Sequence, residues 1–563
     1  MNDRPRGLFF FLFLLISVLP LFSAGLWNHG LWTPDEPRVA EIGREMAVSG
    51  NWAVPTLNKR PFLEHPPFHY AAMAAVFRAL GMSEGAARLP SAVFALGGVV
   101  TIFLVCLIQF GPRVGFLSAF VLATSVEYFR VGNWAVVDSA LALFIYLALL
   151  CFWVAYSGQD RWRRLLFYSL CYVFCSLAFY TKGFIGVALP GVAVLVFLSF
   201  DRNLKEILRM HLWLGVLVFG ALTLPWFLSL WHQGGDEFIK VFLLRNHLER
   251  FAGGSTGHNQ PIYYYMTQLP AGFLPWSLMI VPAGVWLLRI RKEVEVSQKK
   301  ALLFATCWFI SGFALLSAAS TKRILYLMPI FAPASILVGC YVDSMFDRPV
   351  TTWFDRFFAY LFGLVPLVVG VAAIPFLLYA SRRYGLSMGP GALVGCGVFS
   401  FVIALLAFLG LWSLKRSGKR FWLFTGGSLV SLLLLALIVV VPLVDQQKSF
   451  VPFCNEVAAK VPPAAGLYVY QPDETIRGAI PFYSGRYLIE IETLDSLKAA
   501  MGRERSLYVI ARDSRGRLGK EIESAGPFDL LAQKGMGEHR ALVLYVLTSP
   551  LRLDQTHREA ADH

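Results

Sequence analysis

Charge is scarce in this sequence. Only 15% of its 563 residues are Asp, Glu, Lys or Arg, 56% are hydrophobic, and the mean hydropathy is +0.58. A soluble globular chain is about one-quarter charged, so the three or four soluble domains that length alone would suggest are excluded. Cysteines form no framework. Of the eight, Cys106, Cys151, Cys171, Cys175, Cys307, Cys340 and Cys396 lie in apolar runs, where cysteine behaves as a small hydrophobe. Cys454 has no local partner, and no zinc-type spacing occurs. A disulfide-stapled secreted fold and a zinc ribbon are thereby excluded. Short-period repeats and low-complexity tracts are also missing, which excludes a solenoid.

What is present is apolar sequence in lengths that cross a membrane. A run of about 18 or more apolar residues reads as a transmembrane helix. Such runs fall at 8–27, 89–110, 114–131, 136–157, 164–181, 183–201, 210–231, 271–289, 301–318, 324–345, 357–380, 391–414 and 421–443. That is an expectation of thirteen spans, the third to sixth closely joined. The first run, after Arg4 and Arg6, is longer than a signal-peptide core and reads as a retained span.

The net charge of +14 does not point to nucleic acid, because much of the Lys and Arg sits in short loops where positive charge sets topology. Arg161, Arg163 and Arg164, then Arg202, Lys205 and Arg209, then Arg289, Arg291, Lys292, Lys299 and Lys300, and finally Lys415, Arg416, Lys419 and Arg420 fall on one side together with the N-terminus. With thirteen spans that side is cytoplasmic and the C-terminus lies outside.

Two loops and a tail then face outward. Loop 28–88 holds two helix-permissive stretches, Asp35 to Met46 and Phe68 to Leu80, expected to lie along the membrane surface. Loop 232–270 carries Gly234-Gly235 and Gly253-Gly254, which favour turns. The chain divides into a membrane domain, 1–443, and a tail, 444–563. The tail reads as a small α/β domain, with strand-like runs at 466–470, 506–510 and 540–546 and helical ones at 455–460 and 494–501.

The polar motifs collect at the outward ends of the spans, where ionisable residues are functional candidates. Asp35-Glu36 and Asp138 could serve as general base, metal ligand or sugar-binding carboxylate, or simply as helix caps. Glu64, with His65 beside it, precedes the second loop helix. Together with His258, Glu64 could hold a divalent ion, zinc or manganese. Lys182, in Thr181-Lys182-Gly183, and Lys322-Arg323, with Tyr326 one turn on, could hold a lipid phosphate or snorkel at helix ends. Aromatics on that face, such as Trp52, Tyr70, Tyr265 and Trp276, suit an interfacial belt or stacking on a sugar.

The ordered motifs resemble the GT-C glycosyltransferases, and within them the bacterial lipid A aminoarabinose transferases and their protein O-mannosyltransferase relatives. The matching pieces are Asp35-Glu36-Pro37-Arg38 through Arg44-Glu45-Met46, Ser49-Gly50-Asn51-Trp52, Glu64-His65-Pro66-Pro67, Thr181-Lys182-Gly183, His258-x-Gln260-Pro261, and Lys322 with Tyr326 and Pro329. The resemblance covers nearly the whole chain. It implies a polytopic helical fold with a periplasmic C-terminal domain, in the bacterial inner membrane. The donor it implies is an undecaprenyl-phosphate-linked sugar, transferred with inversion to lipid A or another envelope acceptor. Asp35 and Asp138, with Glu36 beside them, become the catalytic carboxylates. Arg38, Lys182, Lys322, Arg323, Tyr326 and His65 become contacts for the carrier phosphate or sugar, and Glu64 and His258 a metal or structural site. Two departures stand out. His65 replaces the family's Lys, removing a fixed cation, and Asn51 replaces an Asp.

Protein O-glycosylation is the alternative acceptor chemistry. A flippase for lipid-linked sugars would show repeats and polar residues at mid-membrane. Neither is evident. A membrane-anchored receptor would leave Asp35, Asp138 and Lys182 without a role.

Overall fold

The computed structural model describes residues 4–249, 259–289, 295–350, 352–504, 506–536 and 540–547. Among the described residues, ten helices are long and apolar enough to cross a membrane, and up to twelve spans result if each of two bent pairs is one. The helices used below are α1 (Arg4–Val18), α2 (Glu36–Ser49), α3 (Phe68–Leu80), α4 (Glu84–Phe110), α5 (Pro112–Thr124), α6 (Val126–Gly132), α7 (Asp138–Ser157), α8 (Arg161–Lys182) and α9 (Ile185–Phe200).

The expected spans 114–131 and 271–289 correspond to the bent pairs. Helices α5 and α6 meet at 73°, and Tyr264–Gly272 meets Ser277–Arg289 at 102°. At the first break the Ser125 hydroxyl donates to the carbonyls of Val121 and Leu122, both at 2.8 Å, a local bond that competes with the helical ladder. At the second stands Pro275, which has no N–H to offer. The two breaks answer each other, since Val126 N–H donates to Leu274 O at 3.0 Å. Irregular backbone at membrane depth is tolerated where protein satisfies it.

The expected span 183–201 is the 16-residue helix α9, shorter than the ~20 residues of a typical span. Its ends nevertheless reach the same two faces as α7. Lys182, just before it, pairs with Asp138 at the start of α7, and Asp201, just after it, bonds Tyr156 near the end of α7 and Lys300 at 3.0 Å. Helix α7 and Ile324–Ser344 run through the centre, with 78% and 83% of their apolar windows buried, while Pro390–Ser413, at 22%, turns Val394, Val398 and Phe401 outward. A helix apolar all round that lacks protein on most sides faces lipid.

Helix α2 departs from the surface placement expected of it. Glu36, Glu41, Arg44 and Glu45 are all buried, because α3 covers one side of it and the tail covers another. Between the two loop helices lies a hairpin unannounced by the sequence pattern. Strands β1 (Thr56–Leu57) and β2 (Arg60–Pro61) join through Asn58 and Lys59, both at positive φ, as a tight hairpin turn requires.

The tail folds as expected into a small α/β unit, but with more elements. Its sheet comprises β3 (Leu467–Tyr470), β4 (Ile489–Ile491), β5 (Tyr508–Ser514), β6 (Phe528–Gly535) and β7 (Arg540–Leu547), in the order β4-β3-β5-β7-β6. The pairs β3/β4 and β3/β5 are parallel and the rest antiparallel. Alternation sends Leu467, Val469 and Ile510 into one core and Tyr468, Tyr470 and Val509 into the other. Strands β4 and β6 and the helices Glu474–Ser484 and Arg517–Ala525 are additions to the expected set. Asn58 donates to Leu488 O at 3.0 Å and accepts from Leu488 N–H at 2.9 Å, tying this unit to the first loop.

Candidate active site

Asp35 sits at the N-cap position of α2, yet its side chain caps nothing. Instead Arg323 grips it with both terminal nitrogens. Nη1 donates to Oδ1 at 2.9 Å and Nη2 to Oδ2. Arg38, one turn into α2, adds Nη2 to Oδ1 at 3.0 Å. The carboxylate is buried. Burial alone would raise its pKa, but the Arg323 hydrogen bond and charge, with Arg38 and Lys182 behind, outweigh it and hold the carboxyl below its ordinary value.

Asp138 opens α7, where Lys182 Nζ meets its Oδ1 at 2.5 Å. Lys182 ends α8 and also lies 4.0 Å from the centre of the Tyr326 ring, a cation–π contact. The Tyr265 hydroxyl donates to Arg323 O at 3.1 Å, fixing the backbone that carries the guanidinium.

Beside these groups opens a cavity of ≈ 270 Å³. One end is polar, with Glu64, His65, Asp138, Lys182, Thr321 and Tyr326; the rest is apolar, with Leu141, Ile185, Ala188, Leu315 and Leu316 among its walls. A charged end on an apolar chamber matches an amphiphile with an anionic head. Arg38 Nη1 lies 3.7 Å from Glu64, and buried Arg38 Nε has no hydrogen-bond partner among the described residues.

The structure thus gathers Asp35, Arg38 and Arg323 in one cluster and Asp138, Lys182, Tyr326, Glu64 and His65 around the cavity. Two expected residues stand apart. Glu36 is fully buried, and its oxygens accept from Arg88 Nε at 2.7 Å, Arg88 Nη2 at 2.9 Å, Trp32 N–H at 2.8 Å and Ala135 N–H at 3.0 Å. With every acceptor direction used, Glu36 braces the loop instead of facing the chemistry. Lys322 donates to Gln260 O at 2.8 Å and pins the second loop to the Thr321 turn.

His258 lies outside the described residues. Among those described, no three His, Cys, Asp or Glu converge to hold a metal ion. Glu64 moreover has the Arg38 cation at 3.7 Å, competing for its oxygen. The donor set for zinc or manganese is not assembled among the described residues.

Two contributors carried little sequence signal. Arg88 begins an apolar helix and reads as a snorkelling cation, but its nitrogens also donate to the carbonyls of Leu26, His29 and Gly30. Glu474 belongs to the tail and reaches Arg38 from there, Nη1 donating to its Oε2 at 2.5 Å.

Fold and site together define a membrane-embedded glycosyltransferase of the GT-C type. The backbone is similar to that of ArnT from Cupriavidus metallidurans, solved by crystallography with undecaprenyl phosphate bound, with a TM-score of 0.77 at 20% identity over 95% of this chain and 97% of that one. An Archaeoglobus fulgidus oligosaccharyltransferase is more distantly similar, with a TM-score of 0.50. Residues 64–229 match the family described as dolichyl-phosphate-mannose-protein mannosyltransferase. The undecaprenyl phosphate-alpha-4-amino-4-deoxy-L-arabinose arabinosyl transferase of Pectobacterium carotovorum is 30% identical over 426 residues, 74% of this chain and 72% of that protein. Its Shewanella sediminis counterpart is 32% identical over 337 residues, 60% of this chain and 59% of that protein. The chain belongs to this aminoarabinosyl transferase family.

Proposed function

We propose that the protein moves 4-amino-4-deoxy-L-arabinose from its undecaprenyl phosphate carrier to lipid A. It would act in the inner membrane, with the N-terminus cytoplasmic and the site and C-terminal domain, 444–563, periplasmic. The observation that carries this reading is the position of Lys182, Asp138 and Tyr326 at the polar end of an apolar cavity, beside an Asp35 clamped by two arginines.

In the proposed reaction the carrier's polyprenyl chain lies along Leu141, Ile185 and Leu315, and its phosphate meets Lys182. The bond between the sugar's C1 and the phosphate oxygen breaks, and the carrier leaves as a phosphate monoester with one more negative charge. Lys182 offsets that charge where it develops. The acceptor oxygen bonds C1 from the opposite side, inverting it.

The state of Asp35 bears on the acceptor. An effective general base has a pKa near the working pH. Asp35 is held below its ordinary value and already accepts three guanidinium hydrogen bonds. It suits an acceptor that arrives anionic, such as a lipid A phosphate, better than a hydroxyl that must lose a proton. Its part is to hold Arg38 and Arg323 where two anionic substrates meet. Removing divalent ions with EDTA, then restoring zinc or manganese, tests whether Glu64 and His258 hold a metal that the reaction needs.

The test is transfer in proteoliposomes from radiolabelled carrier-linked aminoarabinose, offered lipid A with and without its phosphates. Label entering phosphorylated lipid A, and lost with Lys182→Ala, supports the reading. Label entering protein, or dephosphorylated lipid A equally well, overturns the acceptor. Carrier-linked sugar crossing the bilayer without any transfer overturns the enzyme reading.

A further inference from the structure

The C-terminal domain reaches the site through one side chain. Its helix Glu474–Ser484 lies against the first turn of α2, so close that a Cβ on Gly478 would stand 2.5 Å from the backbone nitrogen of Arg38. At the head of that helix, Glu474 takes Arg38 Nη1 at 2.5 Å, while Nη2 of the same guanidinium donates to Asp35 Oδ1 at 3.0 Å. A guanidinium is planar and rigid. Where Glu474 holds one nitrogen therefore sets how the other meets Asp35.

Arg38 also has somewhere else to go. Its Nη1 lies 3.7 Å from Glu64, which lines the cavity wall. Three carboxylates surround this one cation, and Glu474 is the nearest. If its charge were removed, Nη1 would turn toward Glu64 and draw Nη2 off Asp35. The helix head is itself anchored. Asp473 accepts from Ile476 N–H at 3.0 Å and pairs with Arg512. The remaining ties between domain and loop, such as Arg60 to Glu490 at 2.9 Å, lie elsewhere on the interface.

We infer that Glu474 is a positioning residue for the transfer reaction, holding Arg38 in register with Asp35, so that the C-terminal domain completes the site as well as covering it. This rests on the function proposed above.

The experiment compares steady-state transfer by full-length wild type, Glu474→Gln, Glu474→Asp and Arg60→Ala in proteoliposomes. Loss of register between reacting groups costs about ten- to hundredfold in rate. Glu474→Gln should lower kcat by about tenfold with donor KM within about twofold of wild type, the pattern of an interaction made in the transition state. Glu474→Asp should recover part of the loss. Arg60→Ala, which cuts a bridge of the same interface away from Asp35, should stay within about twofold of wild type. A Glu474→Gln enzyme with wild-type kcat overturns the inference, and so do equal losses in Glu474→Gln and Arg60→Ala, which would reduce Glu474 to domain docking. Those results leave the proposed function standing, whereas a wild type that transfers no sugar removes both.

Discussion

Arg323 holds both oxygens of Asp35, a pair 288 residues apart in the chain. The turn after Ala318 thereby meets the loop after α1, and with it the central helix Ile324–Ser344 is tied to the first loop. Asp35 is buried, Arg323 is partly buried and the contact is two-pronged, which makes its loss costly from either side.

Removing the carboxylate strands Arg323 and takes from Arg38 one of its three carboxylates. Truncating one partner of a buried ion pair costs about 3–5 kcal/mol. Asp35→Asn should therefore lose at least about a hundredfold in transfer rate and melt several degrees below wild type. Arg323→Ala should behave alike, and the double variant should be far less than additive. A thermal-shift double-mutant cycle with coupling near zero would refute the pairing.

The pH dependence follows from the same geometry. The folded pKa of Asp35 lies below the ordinary carboxylate value under the pull of Arg323, Arg38 and Lys182, with burial opposing them. A depressed pKa contributes stability that is fully present above the unfolded value, about 3.9, and is lost as pH falls through the folded value. The stability gap between wild type and Asp35→Asn should then be constant from pH 7 to about pH 5. It should close only in stronger acid. Chemical-denaturation midpoints in detergent at stepped pH read this directly, and a gap that closes between pH 7 and pH 6 would contradict it.

Much of the architecture was legible because hydropathy is a strong signal over span lengths. All but one expected span match a helix or bent pair that passes for a crossing, and α9 misses by length alone. The breaks in two of them were not legible, since the Ser125 hydroxyl bond and the missing N–H of Pro275 are local events that leave the apolar run intact. In the site, Asp35, Asp138, Lys182 and Arg323 stood out as charges next to apolar runs, and Arg38 entered through the family resemblance. Glu36 misled by adjacency. It neighbours Asp35 in sequence, but one residue along a helix turns the side chain by about 100°, into Arg88 and away from the cavity. Glu474 was invisible because a carboxylate in a polar tail has no contrast with its surroundings.

The brace formed by Glu36 and Arg88 should behave as structure. Both side chains are fully buried. Arg88→Ala would leave an unpaired carboxylate in the interior and should abolish well-folded protein, at about 3–5 kcal/mol. Glu36→Gln with Arg88→Met removes both charges but still leaves the carbonyls of Leu26, His29 and Gly30 without donors, so it should recover only part of the loss, read as the monodisperse fraction on gel filtration. Any such folded variant should retain transfer within about tenfold. Transfer abolished in a well-folded double variant would return Glu36 to the chemistry.

The last prediction concerns His65. It lines the cavity with Lys182 and stands where the resembling family has a lysine. A lysine places a compact, fixed cation on a flexible stem at this position. If the polar end of the cavity receives the carrier phosphate, His65→Lys adds a charge where the anion binds. Charge-assisted contacts of this kind contribute about 1.5–3 kcal/mol, so the donor KM should fall about tenfold. The dependence of KM on ionic strength should steepen at the same time. If the donor instead lay on the far side of Asp35, the new lysine would meet Glu64 and Asp138 alone, and donor KM would not change. Measuring donor KM for wild type and His65→Lys at low and high ionic strength separates the cases, because only a phosphate at this end of the cavity gives lysine a benefit that shrinks with added salt.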